Sequence, residues 1–173
     1  MNQIIENILT RRSVRDFTDQ AISKSDLELL IKAGLYAPSG RNQQSWHFIG
    51  VLNQNKIQSL AKAVGQVAKK ENYTMFNPTA LIIVSNERDN PYGPEDNACA
   101  LQNIFLAGHS MGIGSCWINQ MNSGNCDAPE VRSLLTELGV PENHVVYGIA
   151  SLGYLASEPR GIIEKKGTFS IVE

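Results

Sequence analysis

The spacing of apolar residues along the chain predicts helices and strands in mixed order. Apolar residues three or four positions apart, the spacing of an amphipathic helix, recur in five segments. The predicted helices are 3–9, 23–37, 56–69, 96–111 and 127–139. The segment 96–111 is apolar all round, which predicts the most buried helix of the fold. Five helices in this order exclude an all-β protein.

β-type residues predict four strands, at 46–52, 80–84, 115–118 and 145–154. The run at 80–84 is apolar without interruption, which indicates a strand that is covered on both faces. Segment 87–95 contains two prolines and a glycine and is predicted to be a loop. Because helices outnumber strands and the two alternate irregularly, we predict an α+β fold with three layers.

Local signals fix several element ends. Ser23 and Asp26 have the spacing of a capping box, and Pro38 is expected to end the helix that follows it. Asp127 is predicted to cap the last helix, with Gly139 beyond its end. The tail at 164–173 has β-type residues but little nearby with which to pair, so it is expected to dock elsewhere.

Length and composition narrow the functional classes. The 173 residues predict a single domain over 1–173, and the net charge of −2 argues against nucleic acid as a partner. No apolar run has the length of a membrane span, and the N-terminus lacks a signal-peptide pattern, so the cytoplasm is the expected location. The three cysteines are scattered and expected to be buried apolar side chains. Neither they nor the histidines have metal-ligand spacing, so no metal site is predicted.

Arginine is concentrated in one segment, Arg11-Arg12-Ser13-Val14-Arg15. Guanidinium groups offer a planar fork of donors that suits phosphate, and serine adds a hydroxyl. If the chain is extended there, Arg11, Ser13 and Arg15 share one side and Arg12 lies on the other. The alternative is a solvated charge cluster at the C-terminus of a helix, where cations stabilise the helix dipole.

A second candidate is the turn Ala37-Pro38-Ser39-Gly40-Arg41-Asn42-Gln43-Gln44, which leads into an aromatic strand. Its amide and hydroxyl groups suit the edge of a flat polar ring. Such residues are also common in ordinary loops. A third motif, Met111-Gly112-Ile113-Gly114-Ser115-Cys116-Trp117-Ile118, has glycines that allow the backbone to approach a flat ligand closely.

Together the three motifs resemble the signature of the nitroreductase-like FMN-dependent oxidoreductases. In that family the turn reads Ala-Pro-Ser, two residues, Asn, one residue and Gln, usually followed by Pro-Trp; Ser45 stands here in the proline position. The resemblance extends from Ile5 to Gly167. It implies a three-layer fold with a central mixed, mainly antiparallel sheet flanked by helices. It also implies a homodimer with two FMN molecules at the interface and a C-terminal tail exchanged with the partner subunit.

The resemblance further assigns the basic residues to FMN. Arg11, Arg12 and Ser13 correspond to the phosphate-binding segment. Arg15 corresponds to a residue near the pyrimidine end of the flavin, where a cation stabilises the negative charge of the reduced ring. A further basic residue near the C-terminus is expected at the phosphate. Lys165 is the first candidate, and Arg160 and Lys166 are alternatives.

The ring itself is assigned to two other segments by the same resemblance. Ser39, Asn42 and Gln44 would bind its polar edge. Cys116, Trp117 and Ile118 would run along one face. The backbone N–H of Asn119 or Gln120 would donate to flavin N5.

For function, the resemblance implies a ping-pong oxidoreductase. NADH or NADPH would reduce FMN and leave, and a nitroaromatic, quinone or similar acceptor would then take the electrons. No side chain is predicted to act as a catalytic group, because the flavin carries the chemistry. The alternatives are a specialised flavin enzyme of the same fold (an ene-reductase, dehalogenase or dehydrogenase) and a flavin-binding protein without turnover.

Overall fold

The fold is built on one four-stranded sheet in the computed structural model, which describes residues 2–121, 124–157 and 164–173. The strands are β1 (Trp46–Val51), β2 (Ala80–Glu87), β3 (Ile113–Ile118) and β4 (His144–Tyr154). They lie in the order β1-β2-β4-β3, and each neighbouring pair is antiparallel. Within the described ranges, parallel pairing is limited to the bridge between Ser13 and Ser115 beside β3.

Helices cover both faces of the sheet. They are α1 (Gln3–Thr10), α2 (Lys24–Leu35), α3 (Gln54–Val67), α4 (Gly93–Ser110) and α5 (Pro129–Leu138), with short 3-10 turns at Gly40–Asn42 and Asn125–Asp127. One apolar core joins α2 and α4 to the sheet, and a second core joins α3 and α5 to the opposite face. This arrangement confirms the three-layer α+β prediction. No helix in the described part of the chain is long and apolar enough to cross a membrane.

Strand β2 shows why the sheet is covered on both sides. Ala80, Ile82 and Val84 belong to the core under α2 and α4, while Leu81 and Ile83 belong to the core under α3 and α5. Alternate residues of a strand point to opposite faces, so a continuous apolar run provides both contacts. Helix α4 packs against all four strands, as its all-round apolar sequence predicts.

Two capping predictions are confirmed and one is wrong. Ser23 Oγ accepts from the Asp26 backbone N–H at 3.0 Å. Gly139 ends α5 with a left-handed φ of 105°. Asp127 does not cap α5, because Ala128 occupies that position. The Asp127 carboxylate instead receives both terminal nitrogens of Arg88, at 2.7 and 3.1 Å.

Two further expectations need correction. The predicted loop at 87–95 is too long, because α4 already begins at Gly93 with Pro94 in its first turn, where proline needs no hydrogen-bond partner. Cys99 was expected to be buried with Cys116 and Cys126, but it is exposed. It lies on a face of α4 that the other elements of the chain leave uncovered.

Candidate functional site

The arginine segment lies extended against the outer edge of β3. Val14 is 8% exposed, and its backbone N–H donates to the Ser115 carbonyl at 2.9 Å. The backbone at Gly114 is so close that an added Cβ would lie 2.9 Å from Val14 Cβ. Since Val14 points inward, Ser13 and Arg15 point to the other side and are exposed. The predicted alternation along this segment is therefore present.

Arg15 and Arg11 converge on Cys116. Burial raises the pKa of the Cys116 thiol, while the neighbouring Arg15 and, less strongly, Arg11 act in the opposite direction. The Arg15 guanidinium also lies 5.7 Å from the centre of the Phe76 ring. The structure thus brings two predicted cations and one predicted β3 residue into a single cluster.

Arg12 is engaged elsewhere. Its guanidinium donates to the Leu9 and Arg11 carbonyls, both at 2.9 Å. These bonds satisfy carbonyl groups at the C-terminus of α1, where a cation also stabilises the helix dipole. For this residue the structure favours the helix-end alternative over a direct role at a phosphate.

His109, near the end of α4, contacts the last residue of α1, which directly precedes the arginine segment. Its Nε2 lies 2.9 Å from Thr10 Oγ1. Burial lowers the pKa of His109, and the nearby Arg11 and Arg12 lower it further. Both causes disfavour a positive charge on the imidazole beside the two arginines.

The turn that holds Ser39, Asn42 and Gln44 has an unusual backbone. Arg41, Asn42 and Gln44 have positive φ angles of 53°, 56° and 51°, a conformation that non-glycine residues rarely adopt. Gln44 Nε2 donates to Asn42 Oδ1 at 2.7 Å, and the Gln44 backbone N–H donates to Ser39 Oγ at 3.2 Å. The three predicted side chains therefore lie together, and strained turns of this kind are common at binding sites.

A buried polar network behind the turn was missed from the sequence. Asp96, 3% exposed, accepts from the Gly40 backbone N–H at 2.7 Å and from Asn90 Nδ2 at 3.0 Å. Asn90 also donates to Ser45 and Asn86, both at 3.1 Å. Asp96 and Asn97, at the start of the helix predicted to be the most buried, were the available signal. The serine in the proline position thus contributes to this network through its hydroxyl.

The side chains at the end of β3 are largely covered by the rest of the chain. Trp117 packs on Phe105 of α4 with ring centres 6.3 Å apart, while Cys116 and Ile118 are buried. Asn119 is exposed, and Gln120 Oε1 accepts from the Tyr73 hydroxyl at 2.6 Å. Burial, with a smaller contribution from Cys116, raises the pKa of Tyr73 to about 12.

The segment between α3 and β2 forms a wall of this site, which sequence reasoning also missed. Tyr73 contacts Gln120, and Phe76 lies against Arg15. Several of its residues have positive φ, namely Lys69, Asn72, Met75, Phe76 and Asn77. The two asparagines, which tolerate this conformation, were the only local signal.

The predicted site is divided into two halves that lie apart in one chain. The turn is bonded to Asp96 in the first turn of α4, whereas Thr10, which directly precedes the arginine segment, is bonded to His109 near the last turn of that helix. Thirteen residues at 1.5 Å each place these ends roughly 20 Å apart. Lys165 is exposed in the tail, and Arg160 lies outside the described residues.

The half of the site that contains the arginine segment suits an anionic ligand. The ion pairs of the described chain are Lys24–Glu28, Lys56–Glu137 and Arg88–Asp127, and none includes Arg11 or Arg15. Their charges are therefore available to a phosphate or a reduced ring. Among the described residues, no group of three or more His, Cys, Asp or Glu side chains could hold a metal ion.

Comparison with known proteins identifies the family of the chain. A nitroreductase of Bacteroides fragilis, crystallised with bound FMN, is 41% identical, covers 100% of both chains and superposes with a TM-score of 0.90. An Archaeoglobus fulgidus protein provisionally named NADH dehydrogenase/NAD(P)H nitroreductase is 34% identical over 91% of this chain and 88% of its own. The NADPH-flavin oxidoreductase of Vibrio harveyi is 29% identical over 92% of this chain and 68% of its own. Residues 8–154 match the sequence profile of the nitroreductase family, and the chain belongs to that family.

Proposed function

We propose that this chain is an FMN-dependent oxidoreductase that works as a cytoplasmic homodimer. By a ping-pong mechanism it would take electrons from NADH or NADPH and deliver them to nitroaromatics, quinones or similar acceptors. One observation carries the proposal: Arg15 and Arg11 lie beside the Cys116 thiol of the edge strand β3, and Ser13 between them bridges to Ser115 of the same strand. The FMN-bound relative that covers the whole chain supports the choice of ligand.

The residues in and around the arginine segment fit the two ends of FMN. Arg11 and Ser13 offer a guanidinium fork and a hydroxyl for the phosphate. Arg15, which is held against Phe76 and Cys116, supplies a fixed cation for the pyrimidine end of the ring. Asn119 follows β3 at an exposed position, where its backbone N–H is our proposed donor to N5. Lys165 remains our proposal for a further phosphate contact.

When bound, FMN would supply the ring that accepts hydride and returns electrons to the second substrate. The chain contributes position and charge. Arg15 would stabilise negative charge on the reduced ring. Tyr73 and Phe76 would shelter the ring from water. The Tyr73 hydroxyl donates to Gln120, and the Phe76 ring lies against the Arg15 guanidinium.

The homodimer is proposed because one chain separates the two halves of the site. The turn with Ser39, Asn42 and Gln44 would reach the flavin bound by the partner chain. Helix α1 supports this assembly, since its apolar residues Ile4, Ile5, Ile8 and Leu9 are 46–70% exposed and such contiguous apolar surface marks an interface. The tail side chains Phe169 and Ile171, 88% and 79% exposed, would be covered by exchange onto the partner.

The test is the visible spectrum of the purified protein before and after anaerobic addition of NADH or NADPH. Flavin bands that bleach with either nucleotide are the expected result. The Arg11→Ala/Ser13→Ala double variant should weaken FMN binding at least about a hundredfold, since hydrogen bonds to charged groups contribute about 1.5–3 kcal/mol each. Arg88→Ala, which removes a guanidinium outside the site, is the matched control.

Two results would contradict the proposal. A colourless protein that cannot be reconstituted with FMN would contradict the assignment of FMN as the cofactor. A double variant that keeps its full yellow colour would contradict the assignment of Arg11 and Ser13 to the phosphate. Flavin bands that persist with both nucleotides would favour a binding protein without turnover.

A further inference from the structure

A groove lined by three lysines begins beside the proposed flavin site. It has a volume of about 560 Å³ and lies between the second half of α3 and the loop that follows it. We call it the lysine groove and define it by Lys62, Lys69, Lys70 and Tyr73. Glu71 is the acidic residue on its lining. None of the three lysines takes part in an ion pair of the described chain.

Tyr73 connects the lysine groove to the site. One side of its ring lies under Lys70 Nζ, 5.4 Å from the ring centre, and its hydroxyl donates to Gln120 at 2.6 Å. Gln120 follows Asn119, the proposed donor to flavin N5. A ligand with its reactive ring at the end of β3 would therefore extend over Tyr73 toward the lysines.

Lys69 occupies a position where the backbone favours glycine. The Lys70 N–H donates to the Gly65 carbonyl at 2.8 Å and the Lys69 N–H to the Gln66 carbonyl at 3.2 Å, which is the hydrogen-bond pattern of a Schellman motif. Lys69 is its left-handed residue, with φ of 53°. A lysine here is a strained choice for the backbone.

Charge compensation at the end of α3 explains the positions of Lys69 and Lys70 but not that of Lys62. Lys69 and Lys70 follow the C-terminus of α3, where cations stabilise the dipole. Lys62 lies more than a full turn before that end, within the helix, and all three lysines line the groove. The lysines therefore form a stripe along the groove rather than a cap.

We propose that the lysine groove binds the phosphate groups of the reduced nicotinamide dinucleotide. This inference rests on the proposed function, since it assumes that the nicotinamide lies at the end of β3. The dinucleotide carries phosphates at a distance from its reactive ring, whereas a nitroaromatic or quinone acceptor need carry none. Ammonium groups bind phosphate as point charges and suit a flexible, exposed contact of this kind.

The test uses the flavin-loaded protein and three variants, Lys62→Gln, Lys69→Gly and Lys70→Gln. Lys69→Gly removes the charge while relieving the left-handed backbone, so its Tm should be unchanged or higher. Lys56→Gln is the control, because Lys56 lies on the same helix but pairs with Glu137 at 3.1 Å. Stopped-flow reduction without oxygen gives the dinucleotide Kd and the limiting rate of hydride transfer separately.

We expect the Kd to rise about threefold to fivefold per lysine, as for an exposed ion pair, with the limiting rate and FMN content unchanged. A rise for NADPH alone assigns the groove to the 2′-phosphate, and an equal rise for NADH assigns it to the diphosphate. A Kd that matches the Lys56→Gln control in all three variants overturns the proposal. So does a fall in limiting rate without a change in Kd.

A binding measurement without turnover separates this inference from the proposed function. Calorimetry with adenosine 2′,5′-bisphosphate should show binding that weakens about tenfold or more in the triple lysine variant, and no such loss for adenosine. Failure of the flavin to bleach would contradict the proposed function alone. Equal binding of the bisphosphate by the parent protein and the triple variant would contradict the lysine groove alone.

Discussion

At Gly114 the edge strand has no room for a side chain, because Val14 Cβ would lie 2.9 Å from an added Cβ. Gly114→Ala should therefore displace the arginine segment and destabilise the fold by about 1–3 kcal/mol, the usual range for overpacking. Urea unfolding measures the loss. The double variant Gly114→Ala/Val14→Ala restores space and should recover part of it. A single variant with unchanged stability would show that Val14 does not hold the segment on β3.

His144 is a buried histidine whose Nδ1 lies 3.1 Å from Ser85 Oγ. Burial lowers its pKa, with His47 and Arg132 acting in the same direction and Glu87 against it. Below its ordinary pKa of about 6.5 the unfolded chain therefore binds more protons than the folded chain, so stability is lost as the pH falls.

The free energy of unfolding should thus be lower at pH 5.5 than at pH 7.5. His109, whose pKa is also lowered, contributes in the same direction. Urea unfolding of His144→Gln, a neutral amide, should show a smaller difference between the two pH values. An unchanged difference in that variant would assign the effect to other groups.

At the scale of elements, the turn at residues 39–44 depends on the first turn of α4. Asp96→Ala would leave the Gly40 N–H without its acceptor and Asn90 without one of its own. Each lost partner of a buried group costs about 1–3 kcal/mol. We expect a large loss of stability by urea unfolding, together with weaker FMN binding by fluorescence titration.

Asp96→Asn is the matched variant, because its amide oxygen can still accept from the Gly40 N–H. It should retain more stability than Asp96→Ala. Equal losses in the two variants would show that the bond to Gly40 is not what holds the turn, because the amide of Asp96→Asn loses only the second oxygen, which accepts from Asn90.

Elements were predictable where a local pattern decides them. Ser23 caps α2 through its own side chain. The continuous apolar run of β2 is itself the signal of a strand that is buried on both faces. The prediction at Asp127 failed because a partner distant in sequence, Arg88, binds its carboxylate. Helix α4 begins before the predicted position because Pro94, a loop signal by composition, is also a good first-turn residue.

The same distinction between local patterns and contacts distant in sequence applies to the candidate site. The alternation of Arg11, Ser13 and Arg15 is a local property of an extended chain and follows from the sequence. The bond of Gly40 to Asp96 and the contact of Tyr73 with Gln120 join residues 56 and 47 positions apart. No local pattern encodes such pairs, so only the folded chain reveals them.

At the scale of the whole molecule, helix α4 separates the two halves of the site by roughly 20 Å. This separation depends on where α1 and the turn dock along α4, through Asn7 with the Leu106 carbonyl and Gly40 with Asp96. The apolar residues of α1 remain exposed in the single chain. A second chain that covers α1 could therefore complete the flavin site in the same step.

Assembly and flavin binding should for that reason be lost together. Ile5 and Leu9, 47% and 55% exposed, are one turn apart on α1. The double variant Ile5→Lys/Leu9→Lys places charges on this surface and should shift the protein from dimer to monomer in light scattering after gel filtration. Its FMN affinity should fall at least about tenfold, because the monomer lacks the contacts of the turn.

Leu52→Lys is the control, since Leu52 is 37% exposed at the far end of β1 and lies outside α1. It should remain dimeric and bind FMN as the parent protein does. A monomeric α1 variant with full FMN affinity would show that one chain holds the flavin alone, so that Ser39, Asn42 and Gln44 have no part in binding it. A dimeric α1 variant would instead place the interface on another surface, with the exposed apolar residues of α2, Leu29 and Leu35, as the next positions to substitute.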